Sequence, residues 1–335
     1  MRTPVSGIQH TLRCDQYEAV IASVGASLRK LRHEGRDLVV PFEADELRPG
    51  YRGATLAPWP NRVVDGTYSF GGDEFELSLT EPKRAHALHG LASWLDFQKT
   101  GGASDRVTLA ATIEPQAGYP WRVEVTTTYQ LSAEGLVQTV TARNTSAEPA
   151  PWGTGPHPYL VAGASALDEW TFELPATEVL LVTDDRLIPT ELRPADADDA
   201  ARFDYRVPRT IGAAEIDHAY SGLIRDGEGI ATVRLTVPTP PPLAADATSG
   251  ASGRVGPAAG TGVEMSWDAA CPWVQILTAD LPGGPGQPGH RAGLAVEPMT
   301  CAPDAFNAGS YDYDTGLLVL EPGAESSASW RIAAL

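Results

Sequence analysis

A large, all-β antiparallel sandwich is the fold this sequence predicts, on three observations. Short runs of strand-forming residues recur along nearly all of its 335 residues. Several alternate apolar with polar positions, the two-residue period of a half-buried strand. The 33 glycines and 28 prolines interrupt the chain too often for long helices. They also supply the turns that antiparallel strands require.

In chain order, the first strand candidates are Tyr17–Ser23, Asp37–Phe42, Phe75–Leu79, Val107–Ile113 and Trp121–Leu131. Leu136–Arg143, Glu178–Val182, Ile230–Val237, Val263–Trp267 and Trp273–Thr278 follow, then Leu317–Leu320 and Ser327–Ile332. WRVEVTTTYQL (from Trp121) and LVQTVTAR (from Leu136) carry the clearest alternation. Turn chemistry separates the runs at Asp65-Gly66, Gly71-Gly72-Asp73, Ala133-Glu134-Gly135 and Asp226-Gly227. Asp196–Phe203 is the one helical signal, enough for one or two turns. Pro238–Gly262 is low in complexity and too poor in large apolar residues to bury a core. It reads as an extended, dispensable loop inserted in a single domain covering residues 1–335. A domain linker is the competing reading, but the stretch after it lacks a core of its own.

Charge narrows the partners. Lysine and arginine total 25 against 43 acidic residues, a formal net charge of −18. That sign disfavours nucleic acid and anionic membranes. Cys14, Cys271 and Cys301 are odd in number and far apart, so they form neither a disulfide framework nor a CxxC metal site. The N-terminus shows no secretion signal, and no window approaches the ~20 apolar residues that span a bilayer. A cytoplasmic protein is expected.

Two residues stand out as candidate proton carriers. His157 lies between Pro156 and Pro158, whose fixed backbone angles would aim the imidazole. The plain alternative is a histidine that caps a turn. Glu297 ends the apolar run Ala292–Val296 and precedes a proline. A carboxylate at the end of a buried strand is costly to desolvate unless it is paired or used. Its plain alternative is an edge-strand ion pair. An imidazole and a carboxylate on two sides of a small polar molecule suit general acid–base chemistry.

Asn61-Arg62 offers several donors and an acceptor, although a role bridging loops fits the same spacing. His86 and His89 form an HxxH pair, but no helix and no further ligands of clear type accompany it, so no metal is expected. Asp217-His218 and Gln275 are weak signals taken singly. The Gly283–Gly289 run lacks the lysine–serine ending of a phosphate-binding loop, and no GxSxG elbow is present.

Six fragments together resemble the aldose 1-epimerase (galactose mutarotase) family. They are APWPNRVVDGTYSFGG from Ala57, HALHGL from His86, PHPYL around His157, EIDHAY around Asp217, PWVQILTA around Gln275 and EPMTCAPDAFN from Glu297. They occur in family order from about Tyr51 to Asn307. The resemblance implies a galactose mutarotase-like supersandwich with its sugar site in an open cleft, and no cofactor is expected because no ligand cluster stands out in the sequence. It implies His157 as general acid and Glu297 as general base, with Asn61, Arg62, His89, Asp217 and Gln275 binding sugar hydroxyls. The sequence departs from the family pattern at Leu91, where a glycine is usual, and at Pro156, where an asparagine is usual. Trp59, Trp94, Trp273 and Tyr159 are candidates to stack on a sugar, with core packing the plain alternative. A free aldohexose is the expected partner of a monomer or homodimer. The alternatives are a hexose-6-phosphate epimerase, with Lys83-Arg84 as the pair that would meet a phosphate, and a non-catalytic sugar-binding module.

Overall fold

The computed structural model describes residues 2–237 and 261–335. Two antiparallel sheets dominate it. The longer has nine strands, in the spatial order Gln98–Gly102, Arg106–Ile113, Val123–Ser132, Gly135–Asn144, Glu325–Ala334, Gly262–Trp267, Ala231–Thr236, Thr171–Glu173 and Arg209–Thr210. The C-terminal strand Glu325–Ala334 thus pairs with Gly135–Asn144 on one side and Gly262–Trp267 on the other. The second sheet has six strands, in the order Tyr159–Leu160, Leu294–Met299, Trp273–Leu277, Asp217–Leu223, Ala176–Val182 and Pro189–Pro194. An N-terminal meander, Gln9–Cys14, Tyr17–Ala22, Ser27–His33 and Arg36–Asp37, forms a smaller sheet.

Alternation decides which face each strand buries. Val125, Tyr129 and Leu131 point inward from the long sheet, joined by Val140, Val233, Met265 and Ile332. Val179, Tyr220, Val274, Ile276 and Val296 of the six-stranded sheet enter the same apolar cluster. Shared burial from two facing sheets is what defines a sandwich, and burial of this kind is the main favourable term in folding. The expected all-β antiparallel sandwich is the fold observed.

Several boundaries differ from the sequence reading. Leu38–Phe42 is not a strand, because Val39 makes a single bridge to Leu160 and Pro41 has no N–H to continue a ladder. Phe75–Leu79 is displaced: the strand is Asp73–Glu76, the second arm of a hairpin with Thr67–Phe70. The helical signal reduces to one turn, Ala200–Phe203, whose Arg202 N–H donates to the capping Asp199 carboxylate at 3.0 Å. Gly262 opens a strand rather than closing the loop. The rest of the expected insertion, through residue 260, lies outside the described residues. Among the described residues no helix is long and apolar enough to cross a membrane.

Candidate active site

The six-stranded sheet has a second face, turned away from the shared core. Strand parity sorts the residues. Val274 and Ile276 point into the core, so Trp273, Gln275 and Leu277 point the other way. In the adjoining strand Gln275 pairs with Glu297, Trp273 with Met299 and Leu277 with Ala295. On the other side Asp217 pairs with Leu277 and Ala219 with Gln275. Paired residues of antiparallel strands share a face, so Asp217, Gln275 and Glu297 form one polar patch. It sits between an apolar group of Leu180, Ala219, Trp273 and Met299 and another of Tyr159, Ala279 and Ala295.

Loops from the N-terminal half cover this patch. Pro156 pairs with Thr55, and the His157 carbonyl accepts a hydrogen bond from the Gly53 N–H at 2.7 Å. Tyr159, two residues on, pairs with Ala295, which fixes the His157 loop beside the Glu297 strand. His157 Nε2 lies 3.4 Å from Glu297 Oε1, and the two residues are 3% and 1% exposed. The His157 ring runs nearly parallel to Tyr159 (centroids 5.1 Å apart) and Tyr51 (6.3 Å).

Asn61 and His89 are locked together. The His89 N–H donates to the Asn61 carbonyl at 2.8 Å, and the Asn61 N–H donates to His89 Nδ1 at 3.2 Å. Both hold left-handed backbone angles, φ 56° and 61°, where asparagine and histidine are tolerated better than most residues. The His89 ring meets His157 edge-on at 4.9 Å. Arg62 donates to Glu81 through Nε at 2.8 Å and Nη2 at 3.2 Å, and its Nη2 lies 3.8 Å from Asp217 Oδ2. Gln275 Nε2 donates to Asp217 Oδ1 at 2.6 Å. All seven residues singled out in the sequence are therefore linked through the sheet face and the loops over it.

Burial governs the charges. It pushes the Glu297 carboxyl well above the carboxylate range, and the Asp217 charge pushes the same way, while Arg62 opposes both. Burial likewise lowers His157 to about 3, reinforced by Arg48 and Arg62. His89 is held well below its ordinary value by burial, then by His157 and both arginines. Burial thus favours the uncharged form of each group, a neutral imidazole beside a protonated carboxyl. Three of the buried polar atoms without a hydrogen-bond partner belong to these residues: His157 Nδ1, Glu297 Oε2 and Gln275 Oε1. Unsatisfied buried polar atoms cost stability, and these three leave one carboxyl oxygen, one amide oxygen and one ring nitrogen close together without a partner.

The aldose 1-epimerase family model matches residues 9–333. The chain belongs to the aldose 1-epimerase family. This family membership makes it an isomerase that acts on carbohydrates. It is 33% identical over 319 residues to the uncharacterized protein YihR of Escherichia coli K12, covering 95% of this chain and 90% of that one. Mouse galactose mutarotase is 26% identical over 227 residues, 63% of this chain and 64% of the mouse enzyme. A solved GalM/aldose epimerase homologue from Caenorhabditis elegans superposes with a TM-score of 0.77 at 20% identity, covering 98% of this chain and 99% of that one. This last likeness concerns the fold alone.

For this family member the structure also separates residues that the sequence left together. The HxxH pair divides: His86 Nδ1 accepts from the Asp65 N–H at 3.2 Å and Nε2 lies 2.8 Å from the Arg186 carbonyl, so both nitrogens hold loops. His89, His157 and Glu297 do cluster closely enough to suggest a metal site. Nδ1 of His89 is an acceptor, however, so its neutral ring carries the proton on Nε2 and offers a donor instead of a ligand lone pair. His218 points into the core against Phe203, as strand parity requires of a neighbour of Asp217. Asp304, in the EPMTCAPDAFN fragment, accepts from the Val64 N–H and from Tyr311, pinning the strand that follows Arg62. Trp59 and Trp273 are buried, whereas Trp94 is exposed.

The sequence reading missed Glu81 and Tyr51. Glu81 holds both Arg62 and, at 2.8 Å, Arg84. A glutamate before a proline in a turn has no local signature, and only the fold shows its partner. Gly90 has φ 68°, and a Cβ there would lie 2.1 Å from the Ala57 carbonyl oxygen. Gly90→Ala is expected to cost about 2–4 kcal/mol in thermal or urea unfolding and to misplace His89. An unchanged melting temperature would show that this backbone crossing can relax.

Proposed function

We propose that this protein interconverts the α and β anomers of a free aldohexose such as galactose or glucose by ring opening and closure. The observation that carries the reading is the His157–Glu297 pair: two buried groups 3.4 Å apart, each holding an unpartnered polar atom. A binding module needs hydroxyl partners but no such pair.

Glu297 takes the proton of the anomeric hydroxyl, and His157 gives one to the ring oxygen. The bond between the anomeric carbon and the ring oxygen breaks as the carbonyl forms. Rotation about the adjacent carbon–carbon bond turns the other carbonyl face to the ring hydroxyl, and the same two groups close the ring in reversed roles. The reaction needs the pair's proton on His157, so it begins with a transfer from Glu297 against the preference that burial sets. The Arg62 charge helps Glu297 to act as the carboxylate. Asn61, Arg62, His89, Asp217 and Gln275 hold the hydroxyls, with His89 Nε2 as a donor. The substrate is expected to be uncharged, because Glu81 engages both Arg62 and Arg84 and because Asp217 and Glu297 add negative potential. We read the chain as a single domain that uses no metal or other cofactor.

Polarimetry on freshly dissolved α-galactose and α-glucose, with matched 6-phosphates, tests the reading. Faster mutarotation of the free sugars supports it. A preference for the phosphate that Arg84→Ala abolishes would replace it with the hexose-6-phosphate epimerase. The pH profile adds a second check. The free enzyme loses its working state on the acid side only when His157 gains a second proton for the pair. The acid limb of kcat/KM is therefore expected below pH ~5, under the ~6.5 of a free imidazole. A limb at pH ~6.5 would mean that His157 titrates as if exposed.

A further inference from the structure

Moving a proton from Glu297 to His157 creates an imidazolium almost cut off from water, since His157 is buried. Burial opposes that charge, and so do the Arg48 and Arg62 guanidiniums. The Glu297 carboxylate left behind, 3.4 Å away, offsets part of the cost. The other groups around the ring are aromatic. Tyr159 stacks on it with centroids 5.1 Å apart and planes at 23°. Tyr51 is also nearly parallel to it, at 6.3 Å and 22°, and His89 meets it edge-on.

The negative face of an aromatic ring attracts a cation within about 6 Å of its centroid, and more strongly where water is excluded. A neutral imidazole gains less from the same face. Stacking therefore favours the charged form of His157, in the opposite sense to burial. Tyr159 lies inside that range and Tyr51 just beyond it.

Both rings are held in place. Tyr159 is buried, pairs with Ala295 in the six-stranded sheet, and donates its hydroxyl to the Gly50 carbonyl at 3.1 Å. Gly50 and Tyr51 have left-handed backbone angles, φ 51° and 55°, unfavourable for a tyrosine. The Tyr159 hydroxyl thus ties down the turn that brings Tyr51 to the same histidine.

We propose that Tyr159, assisted by Tyr51, is a positioning residue whose ring face stabilises the His157 imidazolium that protonates the sugar ring oxygen. This rests on the proposed role of His157 as general acid.

The test replaces Tyr159 with phenylalanine and with phenylalanines carrying one, two or three ring fluorines, which keep the shape but weaken the negative face. The substrate is whichever free aldohexose the wild type turns over faster. Tyr159→Phe should stay within about threefold of wild type, because the ring face remains. From there kcat should fall with each fluorine, to about tenfold below phenylalanine at three, with KM changed less than about twofold. Tyr159→Leu should lose at least as much. A flat fluorine series, or a loss carried by KM alone, would overturn the proposal, since lost packing does not follow ring electronics. The Arg52 guanidinium lies over the same ring at 5.8 Å. The slope should therefore persist in Arg52→Gln, and its disappearance there would assign the effect to Arg52 and overturn the proposal. A wild type that accelerates no aldose, or a His157→Ala variant with a normal rate, would remove the general acid and this inference with it. A flat series in an active enzyme would remove the inference alone.

Discussion

Replacing Glu297 with glutamine is expected to lower kcat for mutarotation at least ~100-fold, the lower range for a positioned acid or base, with the fold intact. Glutamine keeps the size and hydrogen-bonding shape of the side chain but cannot carry the proton between the anomeric hydroxyl and the ring oxygen. The fold should tolerate it because burial already favours an uncharged group at this position. The sign can be followed with pH. A carboxyl whose pKa is raised by folding gives its full stabilising share below the unfolded value, ~4.3, and loses it as pH rises towards the folded value. The glutamine variant escapes that loss. Its melting temperature should match or exceed the wild type at neutral pH, with the gap closing towards pH 4. A folded Glu297→Gln protein with near-normal polarimetric rates would remove this residue from the reaction.

His157→Ala is expected to show a loss of similar size, at least ~100-fold in kcat, for a complementary reason. The proton released by one hydroxyl must reach the ring oxygen, and the His157 imidazole lies 3.4 Å from the Glu297 carboxylate. The two groups work as a unit. The double variant Glu297→Gln/His157→Ala should therefore be little slower than either single one, since residues that share one step are not additive. Multiplicative losses in the double variant would mean that the two act in separate steps. Added imidazole, small enough for the space left by the ring, should restore part of the His157→Ala rate and none of the Glu297→Gln rate.

The two proposed proton carriers were legible in the sequence because each has a local mark. Flanking prolines single out His157, and an apolar run ending in a charge singles out Glu297. Their contact was legible only through the family resemblance, because it depends on pairing across more than a hundred residues. Gln275 shows the limit: inside WVQIL it is an ordinary polar residue, and only the register with Glu297 and the bond to Asp217 give it a place. The long alternating strands Val123–Ser132 and Gly135–Asn144 were readable to within two residues, because one face is buried along their whole length. Gln9–Cys14 escaped, since only Leu12 in it is buried. Around the site itself, Thr55–Leu56 and Arg62–Val64 are two or three residues long and bounded by prolines and turns, too short for any period to register.

The two-sided sheet has a consequence for how such an enzyme changes over generations. Along Trp273–Leu277 and Leu294–Met299, alternate positions face opposite ways, one set to the shared core and the other to the polar patch and the two apolar groups beside it. A substitution at a polar position of the second face, such as Gln275, can change what that face binds while the shared core keeps its packing. New specificities are then reachable one mutation at a time, without passing through unfolded intermediates. An inserted or deleted residue in either strand has no such freedom, because it exchanges the two sets along the rest of the strand. Diversity within this scaffold should therefore accumulate as substitutions at odd-numbered positions of these strands and as length changes in the loops above them.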